Sequence, residues 1–242
     1  MQIGVPLVDL RRTAQGPRDR QLLLGDAVDV LETQSESVRV KALKDGYTGY
    51  LPARVLAPRS PPTHFVCAAA THAYHEPDLK SPDLELLSFG AGLTVSGKQN
   101  GFARTNRGYV PAIHLRPRET PCADPIEVAE LFLGTPYLWG GNSRSGIDCS
   151  GLVQAACLAC DIPCPADSGP QEADLGHSLP KDTPPQRGDL LFWKGHVAWV
   201  ISPTRLLHAN AHAMATTTED LQTAIARIKA AGDGPVTSHK RL

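Results

Sequence analysis

Cys149 follows Asp148 at the head of Ser150-Gly151-Leu152-Val153-Gln154-Ala155-Ala156, a run that reads as the opening of an apolar helix. At a helix N-terminus the unpaired N–H groups and the macrodipole stabilise an anion. A thiol there, with a basic neighbour, is expected to ionise well below its free pKa of roughly 8.5. The chemistry this placement suggests is nucleophilic attack. A candidate base comes later: His196 follows Gly195 at the start of the apolar run Val197-Ala198-Trp199-Val200-Ile201. His208 lies in the next apolar run, 206–211. If the turn between the runs centres on Ser202, positions 196 and 208 face each other across an antiparallel pair, with Cβ atoms about 5 Å apart. In that register His208 can fix the tautomer of the His196 ring, completing a set of nucleophile, base and orienting group.

The simpler reading of a cysteine in an apolar helix is core packing. It suits Cys157 and Cys160, which fall among apolar neighbours on the packing side of the same helix. Cys157, Cys160 and Cys164 are not followed by a histidine pair at zinc spacing, so no metal and no cofactor are expected. His212 is the rival to His208 for the third role, and His114 and His177 read as surface or loop residues. Asp148 doubles as a good residue to begin a helix, and Asp167-Ser168 reads equally well as an ordinary turn.

The elements that must position these groups follow from periodicity. A helix is expected over 126–133, with Pro125 in its first turn. A second covers 149–160. Strands are expected over 190–193, 196–201 and 206–211. A last helix, capped by Thr218 with Glu219, is expected to run to Ala231 and stop at Gly232. Helices followed by strands without alternation indicate an α+β domain. The Gly-rich aromatic stretch Gly134-Thr135-Pro136-Tyr137-Leu138-Trp139-Gly140-Gly141 ahead of Cys149 is fit to wall a cleft.

The first half is different in texture and repeats itself. Gly49-Tyr50-Leu51-Pro52-Ala53 returns as Gly108-Tyr109-Val110-Pro111-Ala112, each followed by a leucine and then a proline at matching distances. Short β-rich runs are broken by Asp45-Gly46 in one copy and Asn100-Gly101 in the other, both hairpin signals. Two small β-barrels of about 55 residues each are expected. Their expected boundaries are 1–58 and 63–117, with Pro-rich linkers around them, and the α+β domain occupies 122–242.

Composition excludes several partners. The net charge of −1, without a basic block, argues against nucleic acid or an anionic membrane. No window approaches the roughly 20 apolar residues of a membrane span. The opening residues lack a basic region followed by an apolar core, so no signal peptide is expected. A cytoplasmic location follows, and with it reduced thiols for the six cysteines.

The ordered set of Gly134–Gln154 with Cys149, then Gly188-Asp189-Leu190-Leu191-Phe192, Gly195-His196-Val197 and His208, resembles the NlpC/P60 cysteine peptidases, over about residues 124–242. The segment Asp45-Gly46-Tyr47-Thr48-Gly49-Tyr50-Leu51-Pro52 resembles bacterial SH3-like domains. Together they imply a multi-domain fold, two all-β SH3-like barrels followed by an α+β papain-like cysteine peptidase domain. The family implies Cys149 as nucleophile, His196 as base and His208 as orienting residue. The layout resembles members that recycle cell-wall peptides by cutting the γ-D-glutamyl-L-diamino acid bond of tripeptides or tetrapeptides with a free L-Ala amino terminus. That resemblance implies Asp148 as the carboxylate that reads the amine, Asp167-Ser168 and Trp139 as pocket residues, and a tyrosine from the first barrel, Tyr47 rather than Tyr50. An arginine often precedes the Asp-Ser pair; Ala166 stands there, so no anchoring cation is expected. The alternatives are a wall-binding murein hydrolase and an amidase or acyltransferase with another substrate.

Overall fold

The repeat in the first half recurs as a repeat of strand order. The computed structural model describes residues 1–242. It divides into one unit of Met1–Pro121 with Asn142–Ser145, and a second of Cys122–Gly141 with Gly146–Leu242. In the first unit, copy one runs β1 (Gln2–Ile3), β2 (Leu7–Arg11), β3 (Arg18–Leu23), β4 (Val28–Gln34), β5 (Ser37–Ala42), β6 (Thr48–Pro52) and β7 (Leu56–Ala57). Copy two runs β8 (His64–Val66), β9 (Ala70–Tyr74), β10 (Asp83–Ser88), β11 (Gly92–Leu93), β12 (Val95–Gln99), β13 (Phe102–Thr105), β14 (Gly108–Pro111) and β15 (Leu115–Pro117). The main sheets are ordered β3-β2-β6-β5-β4 and β10-β9-β14-β13-β12, the same topology position by position. A 3₁₀ turn, Ala53–Val55 or Ala112–His114, precedes the closing strand in each copy. Each copy has its own core: Ile3, Leu10, Val28, Val40 and Leu51 in the first, Ala73, Leu87, Leu93 and Val110 in the second.

The two turn signals serve different hairpins. Asn100 (φ 50°) and Gly101 (φ 79°) join β12 to β13, and positive φ at both central residues is what a two-residue type I′ turn requires. The matching bend in copy one is Ser35-Glu36. Asp45-Gly46 instead joins β5 to β6, where Asp45 Oδ1 accepts from the Tyr47 N–H at 2.9 Å. The first unit also holds β16 (Asn142–Ser143), where Arg20 Nη2 donates to Asn142 Oδ1 at 2.9 Å.

The second unit begins with α1 (Pro125–Glu130), shorter than the expected 126–133. Asp124 caps it by accepting from the Ile126 N–H at 2.8 Å. After β17 (Gly146–Ile147) come α2 (Cys149–Ala159) and α3 (Ser168–Asp174), the latter not foreseen from periodicity. The remaining strands are β18 (His177–Ser178), β19 (Asp189–Trp193), β20 (His196–Ser202), β21 (Arg205–Asn210), β22 (Ala215–Asp220) and β23 (Ser238–Arg241), with α4 (Leu221–Ala230) after β22. They form one sheet ordered β18-β23-β19-β20-β21-β22, antiparallel throughout. On one face Leu191, Trp193, Ala198, Val200 and Leu206 pack against Leu221, Ala224 and Ile228 of α4. Helix α2 packs on β20 and β21.

Two expectations are corrected. Thr218 and Glu219 do not cap the last helix. They lie in β22, paired with Leu207 and Leu206, because residues 215–220 pair one for one with 205–210. The cap is Asp220, whose Oδ1 accepts from the Thr223 N–H at 2.9 Å. The β20–β21 register is also shifted. Trp199 faces Leu207 and Val200 faces Leu206, with a bulge before Ser202. Extending that register sets 208 opposite 198, so 196 and 208 are diagonal neighbours on one face rather than a facing pair. No helix is long and apolar enough to cross a membrane.

Candidate active site

Asp148 organises the start of α2. In extended conformation at the N-cap, its Oδ1 accepts from the Gly151 N–H at 2.6 Å and from Ser150 Oγ at 3.1 Å. Its Oδ2 accepts from the Gly140 N–H at 2.9 Å. The carboxylate thus ties the helix start to the Gly-rich loop in front of it. That loop needs its glycine at 141, where a Cβ would come within 2.5 Å of the Gly146 carbonyl oxygen.

Cys149 opens the helix and is buried. Its Sγ lies 4.0 Å from the Gly195 carbonyl oxygen, and the Val197 N–H is directed at the sulfur. The thiol therefore sits against the backbone on both sides of His196. His196, half-buried, meets His208, which is completely enclosed: His196 Nε2 lies 2.9 Å from His208 Nδ1, with ring centroids 5.1 Å apart. The diagonal register still brings the two rings together, since diagonal neighbours on one face remain within reach of long side chains. Trp193 flanks His196 at 5.7 Å between ring centroids.

The electrostatics differ from the sequence expectation of a depressed thiol. Burial, and then the adjacent Asp148 carboxylate, push the Cys149 thiol up to about 12, outweighing the backbone N–H groups of Val197, Ser150 and Cys149 itself. Burial, with His208 and Arg227 nearby, holds His196 down at about 3. Burial likewise holds His208 down, to about 4, although Glu219 opposes it. Both shifts favour the uncharged forms, thiol and neutral imidazole.

The other expected residues are distributed as follows. Trp139 is 67% exposed, so its ring is available at the surface of the second unit. Asp167 is the N-cap of α3, without capping that helix through its side chain, and Ser168 is the first helical residue. Ala166 is buried. Tyr47 belongs to the first unit, where its hydroxyl donates to Asp19 Oδ2 at 2.9 Å and its ring packs on that barrel's core. His212 lies exposed in the turn between β21 and β22. His114 Nδ1 lies 2.8 Å from Thr71 Oγ1, and His177 is exposed. Cys157 and Cys164 are buried in the core.

Three residues not assigned to the site from the sequence belong here. Tyr137 is close enough to Cys149 and Asp148 that, after burial, these two raise its hydroxyl pKa. Gln171 of α3 donates to the Ser150 and Pro165 carbonyl oxygens, at 2.9 Å each, holding α3 to the start of α2. Glu219 Oε2 lies 3.2 Å from His208 Nε2. Tyr137 was legible as part of the aromatic loop. Glu219 was not, because its approach to His208 depends on the β21–β22 register.

A helix that begins at a cysteine and rests its first turn on a strand headed by a histidine is how a papain-like thiol hydrolase is built, and that is the class this α+β unit defines. Residues 134–230 match the NlpC/P60 family, and residues 10–56 match the bacterial dipeptidyl-peptidase SH3 domain. The chain belongs to the NlpC/P60 family of cysteine peptidases, with SH3-like β-domains ahead of its catalytic fold. Gamma-D-glutamyl-L-lysine dipeptidyl-peptidase of Bacillus subtilis is 30% identical over 213 residues, covering 78% of this chain and 71% of its own length. The protein of the same name from Bacillus cereus is 30% identical over 227 residues, covering 79% and 67%. The crystal structure of an NlpC/P60 family protein from Bacillus cereus matches with a TM-score of 0.82 over 99% of this chain and 98% of that one, at 22% identity, a likeness of fold.

Proposed function

We propose that this cysteine peptidase hydrolyses the γ-D-glutamyl-L-diamino acid bond of short cell-wall peptides that carry a free N-terminal L-Ala, in the recycling of those peptides. The observation that carries the reading is Cys149 Sγ lodged against the backbone on both sides of His196, whose ring is bonded to His208. The names of the two Bacillus relatives support the substrate class. In this reading His196 takes the thiol proton as Cys149 attacks the γ-glutamyl carbonyl, because neither group is charged at rest. Backbone N–H groups at the start of α2 hold the developing oxyanion. His196 then protonates the leaving amine, and water releases the acyl group from sulfur. His208 orients His196.

Asp148 reads the substrate ammonium while continuing to hold the helix start; a blocked amine would leave the buried carboxylate without that partner. Trp139, Asp167 and Ser168 line the pocket. The working division is 1–58 and 63–117 for the SH3-like domains and 122–242 for the peptidase. The same strand order in both copies supports it. We assign the protein to the cytoplasm, where cysteine thiols stay reduced.

The test is hydrolysis of L-Ala-γ-D-Glu-diaminopimelate beside its N-acetylated form. Cleavage of the free-amine peptide alone is expected. Equal cleavage of both would remove the role of Asp148 and favour a general wall hydrolase. Cleavage of neither by folded, reduced protein would favour an acyltransferase.

A further inference from the structure

The chain of contacts does not end at His208. His208 Nε2 meets Glu219 Oε2 at 3.2 Å, and Glu219 is gripped by Arg227 of α4: Nε donates to Oε1 at 2.9 Å and Nη2 to Oε2 at 2.6 Å. Four elements thus contribute in line, with His196 on β20, His208 on β21, Glu219 on β22 and Arg227 on α4. With His208 neutral, the form its burial favours, the arrangement leaves one consistent placement of protons. A carboxylate paired side-on with a guanidinium is ionised and can only accept hydrogen bonds. The hydrogen between Glu219 and His208 must therefore be on His208 Nε2. A neutral imidazole has one N–H, so His208 Nδ1 carries a lone pair and accepts. The hydrogen between the two histidines is then on His196 Nε2, and His196 Nδ1 is the only nitrogen of that ring left to take a proton.

We propose that Glu219, clamped by Arg227, is a positioning residue that sets the tautomer of His208 and, through it, the tautomer in which His196 acts as base. The inference rests on the proposed roles of His196 and Cys149 and extends them by two residues. It also accounts for why a histidine can serve as the orienting group. Imidazole accepts or donates at Nδ1 with equal ease, and alone it would leave His196 free to adopt either tautomer. Once His196 is protonated, the Glu219 carboxylate lies two hydrogen bonds away, and its negative charge favours the imidazolium.

The charged groups that act on His196, His208 and Glu219 are one another and Arg227, with Cys149 against the backbone beside His196 and Arg205 on the strand next to Glu219. Arg205 Nη2 donates to Thr218 Oγ1 rather than to Glu219.

The test is independent of substrate at its first stage. In protein carrying ¹⁵N-labelled histidine, the His196 and His208 ring signals at pH 7 should both report Nε2–H with Nδ1 unprotonated. Finding His208 as the Nδ1–H tautomer would overturn the proposal. In Glu219→Ala, His208 should become a mixture of tautomers, and alkylation of Cys149 by iodoacetamide should slow. With substrate, kcat should fall by about 10- to 100-fold at unchanged KM, the mark of a group that acts on the base and not on binding. Glu219→Gln, whose carbonyl can still accept from Nε2–H, should recover part of that loss. If Glu219→Ala folds but leaves the histidine signals and the alkylation rate as in the parent, the pair merely ties α4 to the sheet and the proposal fails. If the expected peptide is not cleaved at all, the ring signals and the alkylation rate still decide this point, so the two readings fail separately. Should Glu219→Ala not fold, the unsubstituted protein's tautomers decide it alone.

Discussion

The second unit holds two sets of a histidine, a carboxylate and an arginine, one on each side of β20. On one side stand His208, Glu219 and Arg227. On the other stand His239, Asp189 and Arg241, with His239 Nε2 at 2.7 Å from Asp189 Oδ2 and Arg241 donating to both carboxylate oxygens at 2.7 and 2.9 Å. The second set has the shorter histidine contact and the more deeply buried carboxylate, 1% exposed against 18% for Glu219. Burial would raise the Asp189 carboxyl, but Arg241, the Gln186 N–H and His239 together hold it below its ordinary value. Its geometry is architectural: Asp189 and Arg241 are direct register partners on β19 and β23, so the ion pair closes that strand pair. The better-packed set is thus not the one that meets His196. What separates them is the partner at the histidine's other nitrogen, which for His208 is His196. Residue types alone do not mark a functional network.

The comparison can be broken most directly by removing each histidine. His208→Ala should lower kcat/KM by about 100-fold or more, whereas His239→Ala should leave the kcat/KM of folded protein unchanged. Steady-state kinetics on the free-amine peptide checks both, and a matching loss in His239→Ala would erase the distinction. Next in size is the stability of the architectural set. Asp189→Ala leaves His239 and Arg241 without their acceptor and should cost about 2 kcal/mol, since Arg241 retains access to water. Urea denaturation measures it, and an unchanged midpoint would show that the strand pair does not depend on the ion pair.

A smaller effect separates the sets by pH. His196 and His208 titrate in the folded protein at about 3 and about 4, below the ordinary histidine value of roughly 6.5. The unfolded chain therefore binds those protons first, so their contribution to stability is complete above roughly pH 6.5 and declines as pH falls toward the folded values. Asp189, with its folded value lowered, contributes stability that is lost only as pH falls below the usual aspartate value of roughly 3.9. Between neutral and mildly acid pH, His208→Gln should therefore lose less stability than the unsubstituted protein, and Asp189→Asn as much as it does. Denaturation midpoints across that interval decide the point. The smallest effect concerns the thiol. Asp148→Asn removes the nearest negative charge and should speed alkylation of Cys149 at mildly alkaline pH; no acceleration would mean that burial alone sets the thiol.

Much of the site was legible along the chain. Cys149 at a helix start, Asp148 before it, a histidine at the head of one apolar strand and another within the next are local patterns, and local patterns report on helix ends and strands. The β-repeat was legible for the same reason, although the Asn100-Gly101 and Asp45-Gly46 turns proved to serve different hairpins. The errors lie where several strands compete for one segment. Thr218-Glu219 has the composition of a helix cap, but β21 was available to pair with it, and the ladder moved the cap to Asp220. The His196–His208 register missed by two because the turn falls at Pro203-Thr204 rather than on Ser202, and a bulge before Ser202 makes up only one residue of that offset.

The placement of Cys149, His196 and His208 on their elements, and the family, were thus legible in the sequence alone, because each depends on neighbours a few residues apart. Tertiary structure alone decided that burial raises the Cys149 thiol and that Glu219 stands behind His208. A pKa is set by how much water and charge surround a group, and a carboxylate from another strand reaches a histidine only once the sheet has assembled.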